Sequence, residues 1–218
     1  GFDGLAEKIG APTAIEEFGL MPKIYPCCAS SHAAVDAVIS LMEDNHLAPD
    51  DIAAVDTYVH SLTIGNLRYH IPASVTESRF SMGYAVLAAM HGGRLGLDDF
   101  TPRALKRDFI MGRLHIVKMH RRDKVRPEPI PPNVMEPAEV VITTNEGSEL
   151  QRLVVYARGV LENPASPEEL GRKIDDCLAH VVDNSRRQAL NTCLDDFAAL
   201  ERVSSLQTLL RGVQDREP

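Results

Sequence analysis

The residues with the most chemical potential stand in one short run, Cys27, Cys28, Ala29, Ser30, Ser31 and His32. Thiols, hydroxyls and an imidazole in that order suit three kinds of chemistry. A Cys28–His32 pair suggests a nucleophile with its base, but nothing nearby supplies an oxyanion-hole pattern. His32 and Asp36 lie four apart on one helix face, yet no second pair at ligand spacing follows, so a metal site is poorly supported. The third possibility is an anion seat. Ser30 and Ser31 are good N-cap residues, and Val35, Val38, Leu41 and Met42 recur behind them at helical spacing. Cys28, Ser30 and His32 therefore crowd one helix N-terminus, whose free N–H groups and partial positive charge favour a carboxylate or phosphate. Arg79 and Ser81 open a second helix, and an arginine grips a carboxylate with two parallel hydrogen bonds. The same helix dipole disfavours a cationic His32 and leaves a neutral imidazole, fit to act as a base or a hydrogen-bond donor. The plainer alternative is structural. Ser30 then only caps, His32 is an ordinary first-turn residue, the cysteines are core, and Arg79 pairs with Glu77 or Asp51.

Several elements must position these residues. Lys23–Tyr25 is a short extended run that Pro26 closes, because the residue before proline is held away from the helical region. A helix follows from about Ser31 to Asn45 or His46. Ile52–His60 alternates as a half-buried strand, with Val55, Thr57 and Val59 on one side. Ser61–Glu77 reads as a long irregular loop, and loops of that length in compact domains are often functional. A helix apolar around most of its circumference, hence buried, runs from about Ser78 to Met90 and stops at Gly92-Gly93. Residues 4–9 and 102–108 suggest short helices, Ile110–Met119 a strand, and Arg121–Pro137 a surface excursion. Ala138–Thr144 and Glu149–Tyr156 alternate around Asn145-Glu146-Gly147-Ser148, a hairpin. Ser166-Pro167-Glu168-Glu169 is a capping box with proline at the first helical position. Helical spacing then persists through Leu210 in three charged helices with narrow apolar stripes, which need a partner surface. The layout is α+β, an antiparallel sheet with packed helices followed by a C-terminal helical segment.

The chain has 218 residues, 44% of them hydrophobic and 25% charged, the balance of an ordinary globular protein. A formal net charge of −8 with no basic block argues against nucleic-acid binding. No apolar run reaches the length of a membrane span, and no signal peptide is read at the start. Four cysteines, at 27, 28, 177 and 193, do not form a zinc pattern and fit thiols in a reducing cytoplasm. No GxGxxG or Walker sequence occurs, so no nucleotide cofactor is expected.

Lys23-Ile24-Tyr25-Pro26-Cys27-Cys28 followed by Ser31-His32-Ala33-Ala34-Val35-Asp36 resembles the MmgE/PrpD family. That family includes 2-methylcitrate dehydratase, cis-aconitate decarboxylase and iminodisuccinate epimerase. Glu77–Val86 resembles its second signature, with Gly83 where a proline is common. Gly159–Pro164 with Ser166 and Glu169 resembles its third, and Leu170–Leu210 is similar to its closing helices. Members are about twice as long and begin with a large helical domain, so the resemblance implies the C-terminal half only. The opening Gly1-Phe2-Asp3-Gly4, which is not an initiator sequence, agrees with that expectation. The implied organisation is a connecting segment at 1–21, an α+β domain at 22–160, and helices at 161–218 that return to the helical domain.

The implied function is that of a cofactor-free lyase of propionate metabolism, like 2-methylcitrate dehydratase, acting on small di- or tricarboxylates by proton abstraction and elimination. Epimerisation, decarboxylation or a non-catalytic module binding an acid metabolite or partner protein are the alternatives. The principal acid and base groups would belong to the helical domain. This half would supply the opposite wall, with His32 as the catalytic candidate and Cys28, Ala29, Ser30, Arg79 and Ser81 binding substrate. Cys28 stands where some relatives have histidine, which bears on substrate identity. The partners expected are the carboxylate substrate, the helical domain on the same or another chain, and a second copy in a homodimer.

Overall fold

The structure, a computed structural model, describes Gly10, Pro12, Thr13, Ile15, Glu16 and residues 19–122, 136–179 and 181–211. The expected helix at 4–9 and most of the 121–137 excursion lie outside these residues.

Four strands form one sheet in the order β2-β1-β3-β4, with β1 at Ile52–Val59, β2 at Val117–Arg121, β3 at Ala138–Thr144 and β4 at Glu149–Val154. The alternation of β1 sets which face is covered. Val55, Thr57 and Val59 are buried, and they lie in register with Ile142, Val140 and Ala138 of β3, which are buried too. The opposite face is polar: His120 stacks on Tyr58 at 4.9 Å between ring centres and places Nε2 2.5 Å from Asp56. The 138–154 hairpin forms as expected, its β3–β4 pair antiparallel. The sheet is mostly antiparallel, and β1–β2 is a parallel pair. Parallel neighbours need a long crossover, and residues 60–116 make it with most of the helices that position the site.

Among the described residues the helices are α1 His32–Asp44, α2 Ser61–Asn66, α3 Val75–Ser78, α4 Met82–Gly92, α5 Asp108–Met111, α6 Pro167–Ala179, α7 Asn184–Asp195 and α8 Ser204–Leu210. On the covered face α1 packs on β3 and β4, α4 packs on β2, and the two helices pack on each other. As its composition required, α4 is enclosed on all sides: Met82 and every residue from Tyr84 to Met90 is buried. The helix ends at Gly93 in the left-handed region, φ 64°.

Three expectations need correction. Ser61–Glu77 is not an irregular loop, because it contains α2 and α3. His60 Nδ1 accepts the Leu62 N–H at 3.2 Å to cap α2, and Ser74 Oγ accepts the Glu77 N–H at 3.2 Å to cap α3. Helices of one turn or little more are too short to show a period. For the same reason the helix expected from Ser78 starts at Met82: Ser78 closes α3, and Ser81 caps α4 through the Tyr84 N–H at 3.3 Å. The strand expected at Ile110–Met119 is α5, a 3-10 turn at Leu114–Ile116 and then β2. Closely spaced apolar residues satisfy either reading.

The tail helices begin as expected. Ser166 and Glu169 form the reciprocal capping box, with the Glu169 N–H on Ser166 Oγ at 3.2 Å and the Ser166 N–H on Glu169 Oε2 at 2.7 Å. Their stripes are only partly covered: Leu170, Ile174, Leu178, Leu206 and Leu209 are half-buried. Neither α6 nor α8 buries a residue, α7 buries Leu190, and Phe197 and Val203 are more than half exposed.

Candidate functional site

The run that opens α1 is pinned on two sides. On the first, Tyr25 donates its hydroxyl to Asp36 Oδ1 at 2.5 Å, and the Arg158 backbone N–H donates to Asp36 Oδ2 at 2.6 Å. Burial raises the Asp36 carboxyl above its ordinary range, against these two hydrogen bonds, which lower it. Burial also drives the Tyr25 phenol far above its usual range, with the Asp36 charge adding to the effect. Arg158 in turn holds Glu169 with Nε at 2.7 and 2.9 Å and Asn163 Oδ1 with Nη1 at 3.0 Å. Gly159, at φ 97°, lets this turn press against the extended run, since a Cβ there would stand 2.4 Å from the Pro22 carbonyl oxygen. Asp36 and the Gly159–Glu169 segment, which carries the stretch that resembles the family's third signature, are thus the clamp that positions Lys23–Cys27.

On the second side, the Cys28 N–H donates to the Arg79 carbonyl at 2.9 Å. This bond sets the start of α1 beside the turn before α4, so the two helix starts lie together, as a shared anion wall requires. Arg79 is exposed and forms no ion pair among the described residues, so the pairing with Glu77 or Asp51 is not found. Its charge is close enough to favour the Cys27 thiolate, but burial prevails and pushes that thiol up to about 11. All four cysteines are free thiols.

Ser30 is buried at the surface end of this turn, and Cys28 and Ala29 are half-buried beside it. Neither Ser30 nor Ser31 caps α1 with its side chain, contrary to expectation. A 3-10 turn at Ala29–Ser31 precedes the helix, and Ser31 Oγ donates to the Cys28 carbonyl at 2.9 Å instead. Ser30 Oγ accepts hydrogen bonds from Asn66 Nδ2 at 2.9 Å and from the Cys28 thiol at 3.5 Å. Asn66 Nδ2 also reaches Glu136 Oε1 at 3.2 Å, and Thr63 donates its hydroxyl to the other oxygen of Glu136. The spacing of polar residues did not reveal Asn66, Thr63 or Glu136, because they lie far from Ser30 in sequence and on segments read as loop. Ser81 is almost wholly buried, and its oxygen is engaged in capping α4.

His32 lies in the first turn of α1 and is buried. It is 3% exposed, with Tyr25 edge-on at 5.1 Å. Burial lowers its pKa to about 4, against the carbonyls of Cys27 and Tyr25, which favour the protonated ring. The imidazole is therefore neutral as anticipated, but desolvation is the main cause, whereas the helix dipole was expected to be. Its Nε2 is the buried side-chain nitrogen or oxygen that, among the described residues, has no hydrogen-bond partner. Such an atom in a native core calls for an explanation, and proton chemistry is one.

Two concave regions lie elsewhere. A groove of about 640 Å³ between α1, β4 and α6 is lined by Tyr25, Asp36, Arg158, Arg172 and Lys173. An apolar pocket of about 360 Å³ is floored by Met82, Gly83, Met111 and Leu114, with His70 and His115 at its edge. Ser30, His32 and Arg79 line neither. The segments that neighbour Ser30 and Arg79 in the fold expose Leu62, Ile71 and Phe80. Among the described residues no cluster of His, Cys, Asp or Glu is arranged to hold a metal, and no helix is long and apolar enough to cross a membrane.

The described residues form a two-layer α+β unit in which the starts of α1 and α4 lie side by side. The profile of the MmgE/PrpD C-terminal domain matches residues 25–196, and the chain belongs to that family. It is similar to the cis-aconitate decarboxylase-like protein oryM of Aspergillus oryzae (strain ATCC 42149 / RIB 40), 22% identical over 201 residues. The match covers 87% of this chain and 40% of that relative, so the chain spans well under half of the relative's length.

Proposed function

We propose that this chain is the C-terminal part of a lyase acting on small di- or tricarboxylates, with Ser30, Arg79 and the Cys28–Ala29 backbone forming one wall of the active site. The observation that carries this reading is the junction of the two helix starts, which brings an uncompensated, exposed arginine beside a turn with a buried serine hydroxyl. Removal of a proton by a base next to a carboxylate leaves an electron pair that either forms a double bond as a β-hydroxyl, protonated by a general acid, leaves as water, or takes a proton back. Both routes build negative charge on the neighbouring carboxylate, which a guanidinium and a hydroxyl stabilise. His32, neutral and with Nε2 unengaged, is assigned to proton transfer or to orienting the reacting group. The remaining acid and base groups are assigned to the portion of the protein outside this chain.

Dehydration of a 2-methylcitrate-like acid is the leading reaction. Decarboxylation is the second reading, favoured by the printed name of the Aspergillus relative. The test is to offer the full-length protein 2-methylcitrate and cis-aconitate and to follow loss of water and release of carbon dioxide. Turnover of 2-methylcitrate supports the first reading, and carbon dioxide from cis-aconitate supports the second. Failure to bind or convert any small polycarboxylate overturns both. In the active protein Arg79→Ala should raise KM, weakening binding by about 2 kcal/mol for one lost charged contact at an exposed site. His32→Ala should lower kcat about tenfold or more with a smaller change in KM.

A further inference from the structure

We infer that Asn66 is a positioning residue: held by Glu136, it fixes Ser30 as a hydrogen-bond donor aimed at a bound carboxylate. The inference rests on the reading that this wall binds a carboxylate. The Glu136 carboxylate only accepts, and Thr63 engages one of its oxygens, so the amide end facing the other, at 3.2 Å, must be the nitrogen of Asn66. That same nitrogen is 2.9 Å from Ser30 Oγ. An amide nitrogen accepts nothing, so Ser30 receives this bond. The Cys28 thiol, at 3.5 Å, donates to the same oxygen. Both acceptor directions of Ser30 are taken, and among the described residues nothing accepts its proton.

A buried hydroxyl whose proton has no acceptor is preorganised for an external one, and an anion is the acceptor that gains most. Without Glu136, the Asn66 amide could turn over and offer its oxygen to Ser30. The serine proton would then be spent inside the protein. The ligand class is therefore an acid whose carboxylate reaches the Ala29–Ser31 turn.

The test uses tricarballylate, an unreactive tricarboxylate, titrated calorimetrically into the full-length protein. Asn66→Asp replaces the donor with an acceptor that claims the serine proton, and Asn66 is exposed, so the core is untouched. It should weaken binding roughly tenfold to a hundredfold, the span for one hydrogen bond to a charged group. Ser30→Ala should do the same, and Ser30→Thr should retain binding. The decisive readout is the double variant Ser30→Ala with Asn66→Asp, which should bind no worse than Ser30→Ala alone, with Glu136→Gln likewise silent in the Ser30→Ala background. Additive losses, or a wild-type affinity in Asn66→Asp while Ser30→Ala is weakened, would overturn the inference and leave the carboxylate reading standing. No binding by the wild type would overturn both.

Discussion

Asp36→Ala is expected to destabilise the domain by about 4 kcal/mol, read as a shift of the urea midpoint at constant slope. Asp36 accepts the Tyr25 hydroxyl at 2.5 Å and the Arg158 N–H at 2.6 Å. The alanine leaves a buried phenol and a backbone donor without partners, each worth about 1–3 kcal/mol, and frees the turn that Gly159 seats against Pro22. Relief of a carboxylate whose burial already raises its pKa offsets part of that cost. Tyr25→Phe, which removes only one donor, should cost about 1 kcal/mol or a little more. A loss below 1 kcal/mol for Asp36→Ala would mean that the clamp does not hold the site in place.

His32 should make the domain acid-sensitive. Its folded pKa, about 4, lies below the ordinary 6.5. Between these values the unfolded chain takes up a proton that the folded chain refuses, so stability falls as pH drops from about 6.5 and the loss is complete near 4. The depression corresponds to about 3 kcal/mol over that window, with no contribution above it. Carboxylates titrate in the same range, so the measurement is the difference between wild type and His32→Leu in unfolding free energy at pH 7 and pH 4.5. The wild type should lose more than 2 kcal/mol beyond what the variant loses. Equal losses would contradict a buried, neutral His32.

The sequence and the structure agree where a pattern is long enough to be periodic. The β1 alternation, the 138–154 hairpin, α1, α6 and α7 were legible because each repeats its signal over many positions. The motif run before α1 and Arg79 stood out as candidates by residue type, and the structure sets them side by side. What stayed hidden is non-local or short. The parallel β1–β2 pair depends on a crossover that no local pattern encodes. α2 and α3 are too short for periodicity, and with α2 unseen, Asn66 could not be placed over Ser30. Glu136 lies distant in sequence and adjoins a proline-rich stretch, where charge alone carries no address. The burial of His32 follows from Tyr25 folding across it, a contact that the helix-start argument does not contain.

The most direct test of the account is a crystal structure of the full-length protein with tricarballylate bound. A carboxylate of the ligand should lie within hydrogen-bond distance of Ser30 Oγ and of the Arg79 guanidinium, with Asn66 Nδ2 still on Ser30. A ligand seated in the groove lined by Arg158, Arg172 and Lys173, with Ser30 and Arg79 untouched, would contradict it.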